Sequence, residues 1–336
     1  MKALVIKGPG EAVLESIAEP RPANDQVLLR VRRVGLCGSD LNSFRGKNPL
    51  VSFPRIPGHE VAATVIEGGK EHQLVSGQDV TLSPYTSCGR CAACLRHRRN
   101  ACQYNQTLGV QRDGALTEYI VMPPEKLYPA KLDLNALCLV EPLTVGSHAV
   151  ARGRVTAEDQ VAVFGCGGVG LGAIAAARFS NANTIAVDLN PAKLDLAKTA
   201  GARHTVNSGA ESLHDRLLEL TDGRGPDVVI EAIGLPQTFR AAVEEVAFAG
   251  RVVYIGYAKE PVAHETRLFV QKELDILGSR NALPEDFRKV IAMLEQGGFP
   301  VEDALGRIAP IEDAPRLLRD WSEHPEGFKK IMISLD

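Results

Sequence analysis

QVAVFGCGGVGLGAIAAARFS spans residues 160–180, and its reading decides the fold. Val161 to Phe164 are uninterrupted apolar residues, the pattern of a strand covered on both faces. Residues 169–180 carry small and apolar side chains over a length that reads as a helix. Between them, Gly165-Cys166-Gly167-Gly168-Val169-Gly170 fits G-x-G-x-x-G. That pattern is weak alone, but the strand before it and the helix after it supply the context of a dinucleotide fingerprint. The first glycine permits a tight turn, the second lets the backbone approach a pyrophosphate, and the third lets helix pack on strand. The helix N-terminus then offers free N–H groups and a positive dipole end to phosphate.

The following segments keep the same rhythm. TIAVD (184–188) is a strand, and PAKLDLAKTAG (191–201) a helix opened by Pro and closed by Gly. SLHDRLLELTDG (212–223), DVVIEAIG (227–234), QTFRAAVEEVAFAG (237–250), RVVYIG (251–256) and ELDILGS (273–279) continue as helix, strand, helix, strand and strand. A helix is also expected over 142–152. Such alternation predicts a parallel sheet with right-handed crossovers. Asp188 ends the second strand, 18 residues after Gly170. There a carboxylate can accept hydrogen bonds from ribose hydroxyls and repel a 2′-phosphate. The expected cofactor is NAD rather than NADP, with the nearby Lys193 weakening the preference.

Residues before about 145 read differently. ALVI (3–6), VLLRVRRVG (27–35), VAATVIEGG (61–69) and DVTLSP (79–84) are short β segments separated by Pro and Gly. They suggest a twisted antiparallel barrel or sandwich. The tail, 280–336, carries amphipathic helices over 284–296 and 312–322 and ends in the strand-like KKIMISL, so it is expected to return and complete the first domain.

At 336 residues the chain is long enough for two domains. A net charge of −3 gives no reason to expect nucleic acid or an anionic membrane as partner. The longest uncharged run, Val161 to Ala177, holds five glycines and falls short of the roughly 20 apolar residues of a membrane span. The N-terminus lacks a signal-peptide core, so the expected compartment is the cytoplasm.

That compartment bears on SCGRCAACLRHRRNAC (87–102). Cys88, Cys91, Cys94 and Cys102 are spaced C-x2-C-x2-C-x7-C. In a reducing environment clustered cysteines favour metal over disulfides, and seven cysteines in all fit a disulfide framework poorly. Four thiolates make a closed, structural zinc site with no position left for a substrate. An iron–sulfur cluster would use similar ligands. A nucleic-acid zinc ribbon would suit the basic run, but aromatic residues are not interleaved with it.

A second set of metal-type residues is scattered: Cys37 in GLCGSD (35–40), His59 and Glu60 in GHE (58–60), and Glu141 in VEP (140–142). Thiolate, imidazole and carboxylate together suit a catalytic zinc with one open position. Singly, each also suits an ordinary core or surface role, and composition does not decide between them.

Taken in order, GLCGSD, PGHE, the four-cysteine lobe, GALTEY (114–119), VEPL, FGCGGVGLG and the β–α series resemble the zinc-containing medium-chain alcohol and polyol dehydrogenases nearly end to end. The resemblance implies an α/β chain with a GroES-like β-barrel catalytic domain over 1–143, bearing the zinc lobe at 86–103. It also implies a Rossmann doubly wound NAD-binding domain over 144–278 and a return over 279–336. It implies two zinc ions per chain. Cys37 and His59 match the catalytic ligands, with Glu60 or Glu141 as the carboxylate. Cys88, Cys91, Cys94 and Cys102 match the structural set. Asp40 matches a carboxylate that orients the histidine, and Ser39 the hydroxyl that takes the alcohol proton. Ile233 and Ile255 join Gly165, Gly167, Gly168, Val169, Gly170 and Asp188 in the implied cofactor site. One position departs: Asn42 stands where relatives often carry a relay histidine, and it cannot titrate as His does. A proton path through water beside Glu60 or Glu141 is the expected substitute.

The implied reaction is oxidation of a secondary alcohol on a polyol or sugar acid by hydride transfer to NAD. The glutamate at 141 is of the polyol type, and GSRNALPEDF (278–287) is similar to sugar-acid dehydrogenases. Arg280 is the leading candidate to meet a substrate carboxylate, ahead of Arg45, Lys47 and Arg112. The expected assembly is a homo-oligomer, dimer or tetramer. Threonine dehydrogenase chemistry, a zinc-free NAD(P)-binding regulatory protein and a nucleic-acid binder are the competing readings.

Overall fold

Glu141 and Val301 bracket an insertion. The computed structural model describes residues 1–336 apart from Lys70 and Gly327. It divides into one unit of Met1–Glu141 with Val301–Asp336 and another of Pro142–Pro300.

The first unit starts with a hairpin of β1 (Lys2–Gly8) and β2 (Glu11–Ser16). Then come β3 (Val27–Gly35), helix α1 (Gly38–Phe44), β4 (Glu60–Glu67), β5 (Asp79–Leu82), the one-turn α2 (Ala92–Leu95), β6 (Tyr119–Met122) and β7 (Leu127–Pro129). Helix α3 (Leu134–Arg152) carries the chain across the boundary. Within β3, Val27, Leu29, Val31 and Val34 are buried and Arg30 is exposed, the near-alternation of a strand with one face on a core. That core also takes Leu4, Ile6, Leu82, Leu116, Leu317 and Ile331.

The second unit runs β8 (Gln160–Phe164), α4 (Gly168–Phe179), β9 (Asn183–Asp188), α5 (Pro191–Thr199), β10 (His204–Asn207), α6 (Leu213–Leu220), β11 (Val228–Glu231), α7 (Pro236–Glu245), β12 (Arg251–Tyr254), α8 (Arg267–Gln271), β13 (Asp275–Gly278) and α9 (Pro284–Glu295). Its six strands are all parallel, in the order β10-β9-β8-β11-β12-β13. Strands β8, β11 and β12 read as apolar runs because both faces are covered. Fully burying a side chain such as Phe164 stabilises the fold by about 1.5–3 kcal/mol. The sequence reading ended this domain at 278. In the structure 279–300 pack within the second unit, because α9 buries Phe287, Val290 and Met293 and lies on α4. Strand β10 has no counterpart in the sequence reading: HTVN offers only one deeply buried apolar side chain, Val206.

The chain then returns to the first unit through α10 (Val301–Ala304), β14 (Leu305–Pro310), α11 (Ala314–Glu323) and β15 (Lys330–Ser334). These complete a seven-stranded sheet in the order β14-β15-β3-β4-β5-β7, with β6 also on β3. All its pairings are antiparallel except β14 with β15. Gly35 at the end of β3 stands opposite Glu60 on one side and Met332 on the other. The one helix among the described residues long and apolar enough to cross a membrane is α3, and 78% of that stretch is buried inside the protein.

Candidate active site and cofactor turn

The turn before β4 is built first by backbone. Gly114 N–H donates to Ile56 O at 2.7 Å, Leu116 N–H to Pro57 O at 3.0 Å and Ala115 N–H to Gly58 O at 2.9 Å. The GALTEY stretch therefore holds the PGHE turn. Gly58 has a φ of +99°, and a Cβ there would sit 2.7 Å from Val34 Cγ1, so only glycine fits. The turn ends by placing His59 and Glu60 in the interior, 6% and 1% exposed.

Cys37 comes from the N-terminal end of α1. Asp40, at the third position of that helix, accepts from Cys37 N–H at 2.9 Å and from Gly58 N–H at 3.1 Å. One buried carboxylate thus fixes two loops that are distant in sequence. The sulfur of Cys37, a ring nitrogen of His59 and a carboxylate oxygen of Glu60 all lie within 4.8 Å of one another. Asp40 Oδ1 lies 3.8 Å from His59 Nδ1, and that nitrogen has no hydrogen-bond partner among the described residues. Ser39 keeps its Oγ buried and likewise without a partner.

The two remaining carboxylates of this region have protein partners. Glu60 pairs with the ammonium of Lys330, which also donates to Leu36 O at 3.1 Å. Glu141 accepts from the Tyr85 hydroxyl. The sequence reading missed Lys330 and Tyr85. A cation opening an otherwise apolar strand, KIMIS, was the available signal for the first, and nothing marked the second.

The electrostatics ask for a cation. Burial, with the nearby charge of Glu60, pushes Asp40 and Glu141 above the usual carboxylate range. Burial opposes charge on His59, yet Asp40, Cys37 and Glu141 outweigh it and hold the imidazole well above its ordinary pKa. Burial also opposes charge on Lys330, and Glu60 and Cys37 overcome it, so the ammonium is held above its ordinary value. Burial and the Glu141 carboxylate push Tyr85 well above the usual phenol range, so it stays a donor. A thiol, an imidazole and a buried carboxylate, converging in a region that favours positive charge, fit a zinc ion with an open position.

The four-cysteine lobe also fits its ion. Cys88 Sγ is 4.0 Å from Cys94 Sγ, and Cys91 Sγ is 3.9 Å from Cys102 Sγ. A tetrahedron with Zn–S bonds of ~2.3 Å has edges of roughly 3.8 Å, whereas a disulfide needs ~2.05 Å. All four donors lie within 4.8 Å of one another. The N–H groups of Cys88 and Cys91 donate to the sulfurs of Cys102 and Cys88, both at 3.3 Å, as thiolates require.

In the second unit Gly165 and Gly167 lie in the turn between β8 and α4, with Gly167 as the helix cap, and Gly168, Val169 and Gly170 make the first turn of α4. Asp188 accepts from Cys166 N–H at 2.8 Å and from Asn190 N–H at 3.0 Å. Its carboxylate thereby fixes the turn as well as marking the end of β9. Ile233 and Ile255 follow the C-terminal ends of β11 and β12. Arg280 is exposed just after β13. Arg45 is held by Ser322, and Arg112 reaches Pro84 O at 3.3 Å.

Comparison with known proteins agrees with this geometry. The alcohol dehydrogenase GroES-like domain family matches residues 23–132, and the zinc-binding dehydrogenase family matches 168–296. The chain is 33% identical to L-galactonate-5-dehydrogenase of Escherichia coli K12, covering 88% of each. It is 35% identical to sorbitol dehydrogenase of Bacillus subtilis, over 83% of this chain and 81% of that one. Among solved structures, the alcohol dehydrogenase RspB of E. coli CFT073, complexed with NADH, superposes with a TM-score of 0.91 at 27% identity, covering 100% of this chain and 99% of that one. With a GroES-like match on one unit, a zinc-binding dehydrogenase match on the other and relatives similar over most of its length, this chain belongs to the zinc-type medium-chain alcohol dehydrogenase family and is a zinc-dependent alcohol/polyol dehydrogenase.

Proposed function

We propose that the chain oxidises a secondary alcohol of a sugar acid or polyol to the ketone, with NAD as hydride acceptor. The observation that carries this reading is the convergence of Cys37, His59 and Glu60. Cys37 and His59 hold the reacting zinc, with Glu60 as the near carboxylate and Glu141 kept back by Tyr85. When bound, that ion supplies Lewis acidity to the substrate oxygen. Asp40 orients His59, and Ser39 takes the proton of the alcohol and passes it outward. Cys88, Cys91, Cys94 and Cys102 hold the second, structural zinc.

The Gly165–Gly170 turn receives the pyrophosphate at the N-terminus of α4. Asp188 receives the adenosine ribose and disfavours a 2′-phosphate. The relatives named for L-galactonate and sorbitol support a polyhydroxy substrate. Arg280 is the proposed partner of a substrate carboxylate, on its position after β13. A screen of NAD reduction against aldonates, polyols and L-threonine, with and without chelator, tests the reading. Turnover of an aldonate or polyol that chelator abolishes is expected. Activity on L-threonine with none on any polyhydroxy compound overturns the substrate class.

A further inference from the structure

Glu231 is a fully buried carboxylate that neither the zinc site nor the glycine fingerprint uses. It ends β11, and its Oε1 gathers three donors: Ile233 N–H at 3.0 Å, Gly234 N–H at 2.8 Å and the Thr238 hydroxyl at 2.7 Å. Its own carbonyl accepts Ile255 N–H at 2.9 Å and Gly256 N–H at 3.2 Å. One residue therefore ties together the ends of β11 and β12 and the first turn of α7. The neighbouring backbone leaves room for nothing else. A Cβ on Gly256 would lie 2.5 Å from Glu231 Oε2, and a Cβ on Gly234 would lie 2.8 Å from Tyr257 N. Gly234 also has a φ of +85°, which the two N–H bonds to Glu231 enclose.

The location gives this knot a purpose. Ala232 N–H donates to Phe164 O at 2.9 Å, directly before the glycine turn. A Cβ on Gly165 would lie 2.6 Å from Ile233 Cγ1, so Ile233 rests against the first glycine of the fingerprint. In doubly wound sheets a dinucleotide lies across the carboxyl ends of the strands, one mononucleotide on each half of the sheet. Strands β8 and β9 carry the fingerprint and Asp188, the adenosine side. Strands β11 and β12, on the other side of β8, therefore face the nicotinamide half.

We propose that Glu231 is a positioning residue for the nicotinamide half of the cofactor. It acts through Ile233, Gly234 and Ile255 rather than by touching the cofactor. A side-chain oxygen is needed there because one acceptor meets three donors at once, which no apolar residue can do. Without it the Gly234 N–H is buried and unpaired, the Ile233 N–H loses its acceptor, and the turn opens away from Gly165. This inference rests on the dinucleotide reading of the second unit.

The test separates the two halves of the cofactor. Affinities for NADH and for AMP are measured on wild type, Glu231→Ala, Glu231→Gln and Thr238→Val, each checked for zinc content and thermal midpoint. Glu231→Ala is expected to weaken NADH about tenfold while leaving AMP unchanged. Glu231→Gln keeps the accepting oxygen and is expected to stay within about threefold of wild type. Thr238→Val removes one of three donors and is expected to weaken NADH by roughly two- to threefold, which keeps the test alive should the alanine variant not fold. Equal weakening of NADH and AMP, or full NADH affinity in a folded Glu231→Ala or Thr238→Val protein, overturns the proposal. Wild type that binds neither NADH nor AMP overturns the dinucleotide reading itself.

Discussion

Replacing Lys330 with Met removes the ammonium that pairs with Glu60 while keeping side-chain length. Glu60 is 1% exposed, and the Lys330 side chain 16%. Breaking a pair so buried leaves an uncompensated charge, a loss of about 3–5 kcal/mol. That figure applies to protein whose catalytic site lacks zinc. With zinc bound beside Glu60, the ion supplies the missing positive charge. The remaining cost is then the bond from Lys330 to Leu36 O, about 1 kcal/mol. Closing the thermodynamic cycle, Lys330→Met should bind the catalytic zinc tighter by about 2–4 kcal/mol, at least roughly 30-fold. Urea unfolding of protein with one and with two zinc ions per chain gives the stabilities, and competition with a fluorescent chelator gives the affinity. The double variant Lys330→Met/Glu60→Gln should recover most of the loss seen without zinc. An equal penalty in both zinc states would show that Glu60 does not face the metal and refute the reasoning.

Other expectations follow from the same geometry. Cys88→Ser opens the four-sulfur site and should lower the thermal midpoint by at least about 5 °C, whereas Cys37→Ser should lose roughly 100-fold or more in kcat with little change in midpoint. Calorimetry beside steady-state kinetics checks both, and the reverse pattern would exchange the roles of the two sites. His214, on α6, donates from Nδ1 to the Glu245 carboxylate at 2.9 Å, and that bond raises its pKa above the ordinary 6.5. Because the folded value is the higher one, this bond's stabilisation is fully present below pH 6.5 and is lost as pH rises through the folded value. A wild-type advantage over His214→Gln at pH 5.5 that vanishes by about pH 9 is expected in urea titrations.

The parts of the fold legible in the sequence are those governed by local pattern. QVAVF, RVVYIG and VLLRVRRVG announced themselves because burial on one or both faces dictates side-chain choice. The glycine turn was legible because close backbone approach admits one residue type. Cys37, His59 and Glu60 were legible only through the resemblance. Their neighbourhood is made by the Gly58 turn and the Asp40 bonds, which join residues far apart along the chain. Strand β10 is too short and polar to show a period. Lys330, Tyr85 and Glu231 were hidden for a different reason. Each is a polar residue whose meaning lies in one partner, and the partner is fixed by register between distant strands or by a turn that exists only after folding.

Strand β15 pairs with β3, and the Lys330 ammonium it carries reaches Leu36 O, 294 residues earlier. During synthesis Glu60 and its neighbouring strands emerge early, and the counter-charge to Glu60 follows only after the inserted unit. The inserted unit, 142–300, is complete before then and can fold as a unit of its own. Until residue 330 appears, Glu60 has no ammonium to meet it and the Arg33–Gly35 end of β3 keeps an open edge. A chain that lacks β15 is thus denied the cation that faces Glu60. Loss of β15 would be felt at the candidate zinc site and would leave an unfinished sheet for proteases to find.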